Sequence, residues 1–184
     1  MSKTTLETKY PVLVEGQGKV PCDYMVIGEA PGREEIRQGI PFCGPSGRLL
    51  DSSLAKLGFS RANLYITNLF KGDVGEGNRN PSWEEIDDHW EILMQEIEEC
   101  SPVGILLLGK VPTKAFLMSN SSMKELVGKV FVGFFTKALW LFPNYHPAFI
   151  LRNPNMQDKF EQTLSLFISF IDKFSSRERW EEIK

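Results

Sequence analysis

The chain has 184 residues, 42% of them hydrophobic and 24% charged, with a formal net charge of −3, which suits one globular domain, residues 1–184, with a core of its own. No apolar run approaches the roughly 20 residues that span a bilayer, and the opening Met-Ser-Lys-Thr-Thr-Leu-Glu-Thr lacks the apolar core of a signal peptide; an intracellular setting, cytoplasm or nucleoid, is expected. The slight acidity argues against an extended basic nucleic-acid binder, but it leaves room for a local basic groove.

Asp23 to Gly28 reads as a buried strand ending in the turn Gly28-Glu29-Ala30-Pro31-Gly32. Ser46 is a candidate N-cap for a helix to about Leu57, with Leu49, Leu50, Leu54 and Leu57 at helical spacing and Gly58 as the stop. Leu64 to Leu69 is a second strand, followed by a Gly- and Asn-rich loop from Gly72 to Pro81. Ser82 starts an acidic helix, about Trp83 to Glu99, and Val103 to Leu108 has the all-apolar run of a central parallel strand. A helix follows Gly109 to about Leu117; Lys129–Phe135 and Lys137–Phe142 are short strands, and Pro154–Phe174 is a final amphipathic helix. Alternating strands and helices predict a three-layer α/β/α sandwich around a mostly parallel four-stranded sheet. Ligands of such sheets gather beyond the carboxyl ends of the strands, here the turn at Gly28, the end of the second strand, Gly109, and the segment at His146.

Three of these strand ends carry groups with chemistry. From Gly28 to Gly47, five glycines and three prolines in twenty residues stiffen a backbone whose N–H groups can face an anion or a carbonyl oxygen. For the glycines alone, a tight strand-to-helix connection is the better explanation; the acids in the turn, and Phe42 held on stiff backbone where a base could stack, do not follow from that. Asn68, closing Ile66-Thr67-Asn68, offers a carboxamide suited to the N3–H and O4 of uracil, or a cap for the next turn. His146-Pro147-Ala148-Phe149-Ile150-Leu151-Arg152 reads as a loop with an apolar wedge and an arginine able to enter a minor groove. A plain solvated loop is disfavoured by its three successive apolar residues. Cys22, Cys43 and Cys100 are scattered, odd in number and without a CxxC pair, as reduced thiols would be.

In this order, the segments resemble those of the uracil-DNA glycosylase superfamily, specifically its family-4 type. That type has Gly-Glu-Gly/Ala-Pro-Gly, Gly-x-Pro-Phe-x-Gly-x-x-Gly, Ile-Thr-Asn-x-x-Lys, Asn-Arg-x-Pro, Leu-Gly and His-Pro-Ser/Ala-Tyr-Leu-Leu-Arg-Asn. Here they stand as Gly28–Gly32, Gly39–Gly47, Ile66–Lys71, Asn78–Pro81, Leu108-Gly109 and His146–Asn153. The resemblance implies a DNA glycosylase that everts a base and hydrolyses its N-glycosidic bond, a step in base excision repair. It implies catalytic roles for Glu29, Glu35 and His146, with His146 near uracil O2. The base would lie against Gly28, Ala30, Pro31, Gly32, Phe42 and Asn68, and DNA against Gly109, Pro147, Phe149, Ile150, Leu151 and Arg152. Ala30 falls where family-1 enzymes carry a water-activating aspartate. The implied partner is DNA bearing uracil or a modified pyrimidine, single- or double-stranded, bound by a monomer.

One departure is large. Family-4 enzymes usually hold a [4Fe–4S] cluster on four cysteines, and the third and fourth ligand positions fall here on Gly72 and His89, while no cysteine precedes Cys22. Three scattered thiols do not make such a site, so no cluster and no metal are expected, and apolar side chains, with Trp83 and Trp90 as candidates, are expected to fill the gap. Ile36 stands where an acid is usual, and Phe149 where Tyr is usual. Three activities stay open: excision of uracil, excision of a 5-modified uracil, or an inactive glycosylase fold that binds DNA or protein.

Overall fold

The computed structural model describes residues 6, 8–75, 79–135 and 137–174. Its strands are β1 (Gln17–Gly18), β2 (Tyr24–Gly28), β3 (Leu64–Asn68), β4 (Gly104–Leu108), β5 (Phe131–Phe134) and β6 (Ala138–Asn144). Its helices are α1 (Arg33–Gln38), α2 (Pro45–Lys56), α3 (Trp83–Cys100), α4 (Lys110–Leu117), α5 (Met123–Leu126), α6 (Pro147–Arg152) and α7 (Gln157–Phe174).

The sheet order is β1-β3-β2-β4-β6-β5. The four central strands are parallel, while β1 and β5 add antiparallel edges. The expected four-stranded sheet is therefore the centre of a six-stranded one. β1 is two residues long, too short to leave a periodic signal, and β5 and β6 form the hairpin that the two short apolar runs suggested. Every residue of β2, β3 and β4 is buried, because helices cover both faces. On one face α2 and α7 are joined by Lys56–Glu161 and by the Gln157 amide donating to Ser53 Oγ, and Phe167 packs on Phe142 of β6. On the other, α3 and α4 meet through Trp90 and Phe116, with ring centroids 5.6 Å apart.

Several helix ends follow local chemistry. Ser82 and Glu85 form a reciprocal capping box that starts α3. Helix α2 begins earlier than Ser46 suggested: Gly44 is its N-cap and Pro45, with φ preset and no N–H to satisfy, is its first residue. Residues 147–152 form a short helix rather than a loop, because the His146 side chain caps it and Pro147 occupies its first position. The small helices α1 and α5, six and four residues long, go beyond the expected elements, since so few residues leave no helical period to read.

The chain leaves β2 for β3 on one side, then returns past β2 to β4 on the other. β2 and β4 therefore flank the point where the winding reverses, which opens a crevice at their carboxyl ends. Register keeps these ends level: Gly28 pairs with Asn68, and Leu108 with Asn144.

Candidate active site

At that crevice, Gly28 is a glycine for steric reasons. A methyl group there would collide with Asn68 Oδ1 and lie 2.6 Å from the Phe42 ring. Phe42 and Asn68 thus converge directly above the end of β2. On the far side, Gly109 adopts φ +104°, and a side chain there would meet His146 Cβ at 3.2 Å. The Phe42 and His146 rings are 5.9 Å apart. Four segments far apart in sequence therefore bring Gly28, Phe42, Asn68, Gly109 and His146 around one space.

Phe42 is held there by a strained and well-braced loop. Its backbone is left-handed, with φ +52°, a conformation that costs an L-residue energy and persists where the surroundings impose it. Arg61 imposes it from below, donating to Pro41 O at 2.5 Å and Phe42 O at 2.8 Å while pairing with Asp51 at 3.2 Å. Gly47 leaves space for the Phe42 carbonyl, which any side chain there would strike. Glu35 braces the same loop: the Gly44 N–H donates to Glu35 Oε1 at 2.8 Å, and the buried carboxylate sits under both Gly32 and Gly44. Glu35 holds the stacking loop in place through that carboxylate.

Asn68 Oδ1 is buried and, among the described residues, has no hydrogen-bond partner. A buried acceptor without a donor is costly, and here it faces the space beside Phe42. The strand end that carries it is anchored by Lys71, 1% exposed. The Lys71 ammonium donates to Asn68 O at 3.0 Å, Thr67 Oγ1 at 2.7 Å and Glu96 Oε2 at 2.8 Å. Glu96 also accepts from the Thr67 hydroxyl at 2.9 Å and from the Gly16 N–H at 3.0 Å. Sequence reasoning assigned no role to Lys71, Glu96 or Arg61. A lysine so soon after a buried strand was a faint signal for the first, and the other two gave none.

His146 is neutral and its tautomer is defined. Burial, with the Arg152 charge adding to it, holds its pKa down to about 4. The Ala148 N–H donates to His146 Nδ1 at 3.1 Å, so Nδ1 carries the lone pair and the single ring proton sits on Nε2. Tyr145 N–H donates to Asn144 Oδ1 at 2.8 Å, and Asn144 Nδ2 donates to Phe160 O at 3.1 Å, which fixes the approach to this residue. Glu29, at the turn after β2, is half-buried, and burial pushes its carboxyl above the usual range. Its main chain is tied to the next strand end by the Phe70 N–H, which donates to Glu29 O at 3.0 Å. Pro31 is buried and Ala30 half-buried beneath the same turn.

The His146–Arg152 segment differs from its expected form. Ile150, 1% exposed, points into the core, Pro147 is buried, and Phe149 stacks on Tyr145 at 5.0 Å. Helical winding turns Pro147 and Ile150, three residues apart, onto the same inward face, so the apolar wedge shrinks to Leu151, 47% exposed, with Arg152 beside it.

The residues at the two identifiable cluster-ligand positions do lie together, but their donor set does not fit an iron-sulfur cluster. His89 packs between Tyr10 and Phe70 at 4.7 and 4.6 Å, Tyr10 meets Phe70 edge-on at 5.2 Å, and a side chain at Gly72 would run into both of those rings. His89 Nδ1 lies 2.8 Å from Glu85 O. Cys22 and Cys100 adjoin each other at the amino ends of the strands, where the Cys22 N–H donates to Cys100 O at 2.9 Å. Trp83 and Trp90 do not fill the gap as expected: Trp83 is 51% exposed and Trp90 packs on Phe116. Tyr10, Phe70 and Leu6 do so instead. Among the described residues no helix is long and apolar enough to cross a membrane.

Comparison with known proteins agrees with this geometry. Residues 15–168 match the model of the Uracil DNA glycosylase superfamily. The chain is 35% identical over 167 residues to a Type-4 uracil-DNA glycosylase of Pyrobaculum aerophilum, covering 88% of this chain and 85% of that protein. It is 38% identical over 156 residues to a Type-4 uracil-DNA glycosylase of Saccharolobus solfataricus, covering 81% and 71%. It is also 28% identical over 169 residues to a DNA polymerase of Bacillus phage SP01, covering 91% of this chain and 18% of the polymerase. The chain belongs to the uracil-DNA glycosylase superfamily, and with it to the hydrolases of N-glycosyl bonds.

Proposed function

We propose that the chain excises uracil from DNA, everting the base into the crevice and leaving an abasic site. One observation carries this reading: the orphaned acceptor Asn68 Oδ1 beside the Phe42 ring, opposite a neutral histidine. Uracil N3–H would supply the missing donor, and the amide nitrogen would donate to O4. Phe42 would cover one face of the ring.

Cleavage sends the bonding electrons onto the base and leaves positive charge at C1′. A preorganised donor at the developing anion is the main requirement. His146 Nε2–H would donate to O2, and because the ring stays neutral it needs no proton transfer to do so. Glu29 would stabilise the sugar cation and orient the attacking water. With Ala30 in place of an aspartate, no second carboxylate stands there to take the water's proton. That is acceptable where departure of the base leads the reaction.

We also propose that the enzyme works without a [4Fe–4S] cluster. The Tyr10–Phe70–His89 packing supports this, since it ties the N-terminal segment to the loop after β3 and to α3 by apolar contact. The substrate would be single- or double-stranded DNA, bound by one copy of the chain, with Leu151 and Arg152 entering the duplex where the base leaves.

Oligonucleotides bearing one U, hydroxymethyl-U or T, followed by alkali cleavage of abasic sites, test the reading. Breaks at U, in single strands and opposite G, are expected. Breaks only at the modified base would shift the substrate, and DNA binding without breaks would refute catalysis.

A further inference from the structure

At the amino ends of the strands, opposite the crevice, two thiols stand side by side. Cys22 leads into β2 and Cys100 is the last residue of α3; both belong to one packed core cluster, 3% and 0% exposed. The Cys22 N–H donates to Cys100 O at 2.9 Å, and with ordinary bond lengths that contact alone holds the two Cα atoms within about 6.8 Å. Disulfides join cysteines whose Cα atoms lie about 4.4–6.8 Å apart. The side chains are close as well: burial pushes the Cys100 thiol up to about 12, and charge on Cys22 adds to that rise. Cys22 Sγ donates to Tyr24 O, the resting bond of a reduced thiol. Cys43 is out of reach, because it follows Phe42 at the other end of β2, whose five residues span about 16 Å at roughly 3.3 Å each.

We infer that Cys22 and Cys100 are a redox pair, closing to a reversible disulfide when the protein meets a small-molecule disulfide such as oxidised glutathione. Residues 17–21 are exposed throughout, so displacement of this edge segment uncovers Cys22 before the core opens. The Cys22 thiolate attacks the glutathione disulfide, forming a mixed disulfide and releasing one glutathione thiolate. The Cys100 thiolate then attacks Cys22 Sγ and expels the second. Two thiol protons and two electrons pass in all to the oxidant, which becomes two glutathione thiols. The bridge closes a loop of roughly eighty residues, and cross-links restrict the unfolded chain most where the loop is long. It also ties the entry of β2 to the helix that carries Glu96, the carboxylate holding Lys71 and, through it, the strand end of Asn68. The scaffold of the crevice is thereby locked from its opposite end.

The test uses the full chain, incubated with oxidised glutathione in urea just below the unfolding transition, where the edge segment opens. The protein is then denatured, alkylated and mapped by mass spectrometry. Without oxidant, all three cysteines should take alkyl groups; after oxidation, Cys22 and Cys100 should take none and should appear as one linked peptide pair. With urea removed, Tm should stand on the order of 10 °C above that of the reduced protein, and dithiothreitol should bring it back. Cys22→Ala and Cys100→Ala, whatever their own Tm, should each lose both the link and the shift on oxidation. Three free thiols after this treatment, glutathione retained on Cys22, a link through Cys43 or between two chains, or a Tm unmoved by the Cys22–Cys100 link would overturn the inference.

Discussion

Replacing Lys71 by methionine keeps the length of the side chain but removes the charge that Glu96 was buried with. The ammonium is 1% exposed and uses all three protons, on Thr67, Asn68 and Glu96. Its removal leaves the Glu96 carboxylate in a largely buried site with the Thr67 and Tyr65 hydroxyls and the Gly16 N–H for company, and no cation. An uncompensated buried charge of this kind costs about 3–5 kcal/mol. For a domain of this length, each kcal/mol moves Tm by roughly 2–4 °C, so Lys71→Met should melt on the order of 10 °C lower. Adding Glu96→Gln removes the stranded charge while keeping an acceptor for Gly16. The double variant should then regain about 2 kcal/mol over Lys71→Met alone. Urea unfolding with an unchanged m-value measures both quantities. A loss below about 1 kcal/mol in the single variant, or losses in the two substitutions that simply add, would refute the claim that this pair is a coupled buried charge.

Other expectations concern the crevice and its support. Asn68→Asp leaves a group unable to donate to uracil O4 and places a second negative charge against the departing base; single-turnover uracil excision should fall by about a hundredfold or more. His146→Ala should slow the chemical step by about 10²–10³ while DNA affinity changes little; equal losses in both would count against its role. In the unaltered protein, nitrogen NMR should show His146 as the Nε2–H tautomer at pH 7, titrating near pH 4. Because both histidines have folded pKa values below 6.5, the unfolded chain takes up protons first. Stability should therefore decline as pH falls below about 6.5 and level off, for these groups, once the folded values are passed. Phe70→Ala opens the aromatic packing beside His89 and should cost about 3–5 kcal/mol. The purified unaltered protein should show no absorbance near 400 nm and no bound iron.

Much of the site was legible because it depends on residues that are rare in those settings. Gly28 and Asn68 lie at strand ends and Phe42 on the stiff loop between α1 and α2, settings where side-chain type is set by what must approach, and the three lie side by side at the end of β2. The parallel core of the sheet was equally legible from the apolar runs at 23–28, 64–69 and 103–108. What escaped was long-range. Nothing local marks Arg61 as the clamp on the Phe42 carbonyl, or Glu96 as the partner of Lys71, because both act across tens of residues. Helix α6 was hidden by a different cause: Pro147 and Pro154 suggest a loop, yet a histidine cap lets the first proline open a helix, and that winding turns Ile150 inward. The two tryptophans read as gap fillers were outcompeted by Tyr10, from the N-terminal segment, and Phe70, just after β3, which flank Gly72 in space.

The central claim is that distant strand ends enclose one cleft for a single pyrimidine, and free uracil reports on it most directly. Titrating uracil into labelled protein should move the Asn68 side-chain amide, the Phe42 ring and His146 Nε2 together, along one saturation curve. Movement of only one of these groups, in a protein that still excises uracil, would contradict the account.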